Sequence, residues 1–280
     1  MNREKLLNGS ITKSLLIIAV PIIFANILQT VYQLIDTFWV GRLGVEAVAA
    51  VSLSFPILFF LMSLAMGLLM ASSILVAQYN GKGEPDKVSS TVGQSLSLVS
   101  IMAVIISVVG YFSSHYLLSF LTKDLSVLQQ ATSYLQISFL AITAMFVYIL
   151  FQSSLRGVGE VKVPLIIISI TVVLNFFLDP VLMFGWRFIP AMGVSGVALA
   201  TLITEYLSAI IGIIILIRGT YGIKLGWSDL KMKFSWVKRI FRLGLPSSLE
   251  MGSRSFGMIL MTFVASLFGT LTIASFGIGM

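Results

Sequence analysis

Along most of the chain, long apolar blocks alternate with short clusters of glycine, proline and charged residues. A helix needs ~20 mostly apolar residues to cross a ~30 Å hydrocarbon layer, because every backbone polar group must be satisfied within the segment. By that measure the blocks predict spans at 14–40, 47–77, 91–114, 129–154, 163–185, 192–217 and 244–268, with an eighth beginning at 271–280. Breakers separate them, notably Gly41-Arg42-Leu43-Gly44, Gly81-Lys82-Gly83-Glu84-Pro85-Asp86 and Arg156-Gly157-Val158-Gly159-Glu160. The polar opening, with Arg3, Glu4, Lys5 and Lys13, leads into an apolar run too long for a signal-peptide core. The first span therefore reads as uncleaved.

Loop charge orients these spans. Alternate segments starting from the N-terminus carry fourteen cations, including Lys82, Lys87, Arg156, Arg218 and Arg239, whereas the opposite loops carry only Arg42, Lys123 and Arg187. The excess of positive charge predicts a cytoplasmic N-terminus in the cell (inner) membrane. Within the basic stretch, residues 228–243 place Trp236, Val237, Ile240 and Phe241 at helical spacing, opposite Lys238, Arg239 and Arg242. That pattern predicts a separate amphipathic helix on the anionic leaflet.

A shift of 225 residues aligns Pro21 with Pro246, Gly44 with Gly269 and Ala49 with Ala274. The repeat predicts a six-helix lobe over 1–217, a basic cytoplasmic linker over 218–243 and the start of a second lobe over 244–280. The expected architecture is thus an all-α polytopic membrane protein, part of a twelve-helix design.

Composition narrows the function. Of the 280 residues, 58% are hydrophobic and 10% charged, against ~25% charged in ordinary globular chains. Such a chain cannot cover a water-facing surface. The net charge of +7 lies between spans rather than along one face, with no nucleic-acid-binding spacing. Without cysteine and with His115 alone, no thiolate or histidine metal cluster and no nucleophile constellation for an enzyme can be drawn from the sequence. Gly81-Lys82-Gly83 and Arg156-Gly157-Val158-Gly159 lack the context of a nucleotide loop and read as cytoplasmic turns.

Ionisable groups within spans are costly, at about 2.5–3.5 kcal/mol each on insertion scales, and so direct attention to function. Here they are Asp36, Asp179, Glu205, Glu250 and Arg254. Asp36 precedes Arg42 by six residues and Asp179 precedes Arg187 by eight, which puts both carboxylates at similar depth near the same membrane face. Asn175 and Asp179 are i,i+4 and share a helix face, and Pro180 frees a carbonyl one turn earlier. Two carboxylates, a carboxamide and a carbonyl form a hard-oxygen set suited to Na⁺ or to a shared proton. Glu205 follows the small-residue run Gly193–Ala198, with Thr201 and Thr204 as neighbouring hydroxyls. Glu250 and Arg254 are i,i+4 and most simply pair with each other, leaving Glu250 as an accessory candidate.

Several of these segments, taken in order, resemble the multidrug and toxic compound extrusion (MATE) family, closest to its DNA-damage-inducible-F-like and archaeal branch. They are Tyr32–Thr37 with Val40–Gly44, Leu155–Gly159, Asn175–Pro180, Gly193–Thr201 and Leu243–Pro246. The resemblance implies two six-helix bundles around a central cleft. It also implies export of drugs or metabolites, in particular amphipathic cations, by antiport with H⁺ or Na⁺. It carries a cation-responsive role onto Asp36, Asn175 and Asp179. No cofactor beyond the coupling ion and no obligate protein partner is implied. A lipid-linked sugar flippase of the same superfamily is the alternative, and would call for several basic residues in the cleft. A receptor or channel ranks below both.

Overall fold

The structure, a computed structural model, describes residues 11–279. The basic opening with Arg3 and Lys5 lies outside these described residues. Eight helices follow in order: α1 (Ile11–Gly41), α2 (Val45–Lys82), α3 (Pro85–Ser119), α4 (Leu125–Gly157), α5 (Lys162–Phe184), α6 (Val194–Arg218), α7 (Phe234–Ser266) and α8 (Thr270–Gly279). Among the described residues, α1 to α6 are long and apolar enough to cross a membrane.

Several helices outrun the predicted spans. The expected loop at 81–86 shrinks to Gly83 and Glu84, because Gly83 closes α2 in the left-handed region at φ 75° and Pro85 opens α3. A glycine just past one helix and a proline at the first position of the next permit so tight a reversal.

Two further expectations are corrected. Residues 228–243 are not a separate amphipathic helix. Residues 228–233 lie outside any helix, and α7 runs unbroken from Phe234 through Pro246 to Ser266. No helix-ending glycine precedes Pro246 in the left-handed region, so the proline is absorbed at the loss of one hydrogen bond. The predicted seventh span is therefore the latter part of a longer helix. It carries Glu250, Arg254 and a string of serines and glycines, and it is less apolar than α1 to α6.

At the centre stands α4, which packs against α2, α3 and α6, while α1 packs chiefly on α5, and α7 and α8 lie along α2. Lipid is as apolar as these side chains, so association depends on close packing rather than on a hydrophobic gradient. Glycines create the room. A side chain at Gly110 of α3 would meet the Phe139 ring of α4 at 2.2 Å, and one at Gly212 of α6 would meet Phe151 at 2.9 Å. Where α2 crosses α7, Gly67 and Gly244 bring the two backbones together. Phe139, Phe146 and Phe151 of α4 are fully buried, whereas much of the apolar surface of α1, α3 and α5 faces outward.

Candidate functional site

The site is assembled by α1, α5 and α6 near the ends of the helices opposite the basic loops. Asp36 and Asp179 each lie five residues before the last residue of their helix, which puts both about 8 Å from that end at ~1.5 Å per residue. Because α1 and α5 pack together, equal depth becomes contact, and the Asp36 carboxylate lies within side-chain hydrogen-bond reach of Asp179. Asn175, one turn below on α5, donates from Nδ2 to Asp179 Oδ1 at 3.1 Å. Asn175 and Asp179 are both fully buried.

Helix α6 supplies the hydroxyls. Thr201 reaches Asp36 and the Tyr32 phenol, so it joins the carboxylate pair instead of serving Glu205, as the spacing suggested. The Tyr32 and Thr204 hydroxyls are 2.9 Å apart. Since Thr204 Oγ1 lies 3.1 Å from the Ala200 carbonyl and 3.0 Å from that of Thr201, it donates along its own helix and accepts from Tyr32. The α5–α6 approach behind this cluster is set by Gly196, where a Cβ would meet the Leu182 backbone at 2.6 Å.

Asp36 Oδ1, Asn175 Oδ1 and Asp179 Oδ2 are buried without a hydrogen-bond partner among the described residues. Two carboxylates in contact in a weakly polar interior cannot both keep an uncompensated charge. Their arrangement therefore accommodates either a proton held between them or a small hard cation bound by the unused oxygens.

Asp36 also lines a cavity of about 380 Å³ enclosed by α1, α2, α4, α5 and α6. Its wall combines polar groups with pliable apolar ones, including Met62, Met66 and Met145. Glu205 faces this cavity, with Oε2 buried and without a hydrogen-bond partner among the described residues. Glu250 does not line it. That residue is exposed and pairs with Arg254 at 3.0 Å, as the i,i+4 spacing predicted.

Sequence reasoning missed two features of the cavity wall. Asn26, Gln29, Gln33 and Asp36 form one polar stripe on α1, a signal present in their spacing of three, four and three residues. Arg156, read as part of a loop, belongs instead to the last turn of α4 and lines the cavity. Its placement follows from Gly157. A side chain there would meet Val76 at 2.6 Å, so the end of α4 lies flush on α2 and the preceding residue turns inward.

Comparison with known proteins agrees with this arrangement. The MatE family model matches residues 21–181. The chain is 30% identical over 279 residues to the "Probable multidrug resistance protein YoeA" of Bacillus subtilis, covering 98% of this chain and 60% of that protein. It is 29% identical over 272 residues to YpnP of the same organism, which bears the same description, covering 96% of this chain and 59% of that protein. Among solved structures, an outward-facing multidrug resistance MATE transporter superposes with a TM-score of 0.84 at 26% identity, covering 92% of this chain and 56% of that one. The chain thus spans about three fifths of the length of the curated relatives it matches.

Proposed function

Because this multi-pass membrane chain belongs to the MATE family, which is made of transporters and not of enzymes, we propose that it acts in secondary active export of drugs or metabolites coupled to inward movement of H⁺ or Na⁺. In this reading residues 1–217 work as one lobe and residues 244–280 open a second, joined by the basic segment 218–243, with the N-terminus on the cytoplasmic side of the cell membrane. The coupling ion binds at Asp36, Asn175 and Asp179. Cargo of amphipathic, organic-cation type occupies the cavity beside them, with Glu205 as its acidic contact.

One observation carries the proposal. Two carboxylates from helices distant in sequence meet in the apolar interior, and one of them also borders the cavity. Loading a cation between them holds α1 against α5, and removing it leaves like charges in contact. The α1 wall of the cavity, tied to α6 by Tyr32 and Thr204, therefore has a different lowest-energy position in the two loading states. A ligand shifts a conformational equilibrium only through such differential affinity. The flippase alternative is disfavoured, since among the described residues Arg156 is the one basic residue of the cavity wall.

Efflux of a fluorescent organic cation from membrane vesicles, driven by an imposed ΔpH or by a Na⁺ gradient, tests the reading. One gradient is expected to drive efflux in the wild type, and neither in Asp36→Asn at equal expression. Undiminished gradient-driven efflux in that variant would overturn the ion assignment.

A further inference from the structure

Charge is unevenly distributed along the cavity. Of its acidic groups, Asp36 lies toward the ends of the helices away from the basic loops and Glu205 near the middle of α6, and Arg156 lies at the other end. Tyr134 neighbours Asp36, and on the same helix Tyr134 and Arg156 are 22 residues apart, about 33 Å of α-helix. Between them, Tyr148 lies within electrostatic range of both Glu205 and Arg156, and its hydroxyl donates to the Pro164 carbonyl at 3.2 Å.

The Arg156 side chain forms no hydrogen bond or ion pair with any described residue, and Tyr148 lies within electrostatic range of it. A position in the last turn of α4 gives it the favourable end of the helix dipole. That accounts for a cation on the helix surface, but not for one turned into a cavity. The inward turn is enforced, because Gly157 rests on Val76 and the Ser73 hydroxyl donates to the Ser153 carbonyl at 3.0 Å, clamping α4 to α2. A half-buried guanidinium offers five N–H donors in a planar fork that matches carboxylate or phosphate oxygens. Gln152, one turn earlier on the same wall, adds a carboxamide donor with no hydrogen bond of its own among the described residues.

We propose that Arg156 and Gln152 form an anion-recognition subsite at the basic end of the cavity, which takes a carboxylate or phosphate group of the cargo. The cargo then includes zwitterionic amphiphiles, with the cationic part toward Glu205 and the acidic part on Arg156, and is not confined to simple organic cations. This inference rests on the reading of the cavity as the cargo site.

A matched dye pair tests it. Rhodamine B carries a free carboxylate, and rhodamine 6G presents the same type of ring system with that acid esterified. Binding of each to the purified full chain is followed by fluorescence polarisation. The wild type should bind both, and Arg156→Gln should weaken rhodamine B at least tenfold while leaving rhodamine 6G within twofold. Arg156→Lys, which keeps the charge but loses the fork, should fall between. Equal loss of both dyes in Arg156→Gln, or no loss of either, would overturn the subsite. So would wild-type binding of rhodamine 6G without rhodamine B, which leaves the exporter reading intact. Failure of the wild type to bind either dye would remove the cargo cavity itself. If Arg156→Gln does not fold, the ratio of the two affinities in Arg156→Lys decides: a ratio unchanged from wild type refutes the proposal.

Discussion

Replacing Asp179 by Asn separates the charge of this carboxylate from its shape. Asn175 Nδ2 donates to Asp179 Oδ1 at 3.1 Å, and the Oδ1 of an asparagine at this position can accept the same bond. What changes is a charge-assisted bond becoming a neutral one, a difference of about 1 kcal/mol. Loss of a like charge beside Asp36 works in the opposite direction. Net stability should therefore move by no more than about 1 kcal/mol, or ~2–4 °C in melting temperature for a chain of this size. The cation loses far more. A unit charge ~4 Å from a carboxylate is attracted by about 4 kcal/mol at an effective dielectric constant of ~20, which corresponds to roughly a thousandfold in affinity.

Trp39 provides the readout. It lies three residues beyond Asp36 on α1, with its ring 6.0 Å from that of Phe176 on α5, so its fluorescence responds to changes at the α1–α5 contact. Titrating the purified protein with Na⁺ at fixed pH, and with acid at fixed Na⁺, should give a saturable change with one of the two ions. In Asp179→Asn that change should move at least a hundredfold in concentration or vanish, with the melting temperature nearly unchanged. An affinity within threefold of wild type would refute the ion assignment. A melting temperature lowered by more than 10 °C would instead make Asp179 a structural residue.

Gly196→Ala should test how far the α5–α6 approach supports the cluster. The added methyl meets Leu182 backbone at 2.6 Å and should cost about 1–3 kcal/mol as overpacking, read as a lower melting temperature with weaker ion affinity, since Thr201 moves with α6. Glu250→Gln should be nearly silent. The pair with Arg254 is exposed, and surface pairs of this kind contribute about 0–1 kcal/mol, so unchanged melting and efflux are expected, and lost efflux would give Glu250 a role in transport.

Much of the site could be read from the sequence because depth in a membrane is a one-dimensional coordinate. Counting residues from Arg42 and Arg187 put Asp36 and Asp179 at one level, and the i,i+4 rule put Asn175 beneath Asp179 and Arg254 beside Glu250. Whether α1 touches α5 is a question of azimuth, set by long-range packing that no local pattern encodes. The inward turn of Arg156 was hidden for a related reason. The neighbouring Gly157 reads as a turn residue, and only the approach of Val76 makes it a packing contact. The α1 stripe of Asn26, Gln29 and Gln33 was legible in principle, but uncharged amides inside a span attract less notice than carboxylates. The extent of α7 went astray because Pro246 and the basic face both suggested a boundary, and the helix absorbs them.

The internal repeat explains how so weak an identity can carry a firm geometry. After α1, the Arg42 amide donates to the Trp39 carbonyl, the Leu43 amide to that of Val40, and the Val48 amide to that of Gly44. After α7, the amides of Leu267, Phe268 and Ile273 donate to the carbonyls of Val264, Ala265 and Gly269, the same three bonds displaced by 225 residues. Gly44 and Gly269 occupy the equivalent corner at φ 109° and 94°, where a side chain would be strained. Pro21 and Pro246 both lie inside their helices. What the two segments have in common are the positions where backbone geometry admits few residues. Lipid-facing positions between them are satisfied by any apolar side chain, so they drift without cost to the fold. An acidic residue has no such freedom, and its difference between the copies carries functional weight. Asp36 has Met261 at the corresponding place in α7, more than half exposed. At this offset the second segment has no carboxylate in the place of Asp36, so a hard-oxygen site built on that position is confined to the first segment.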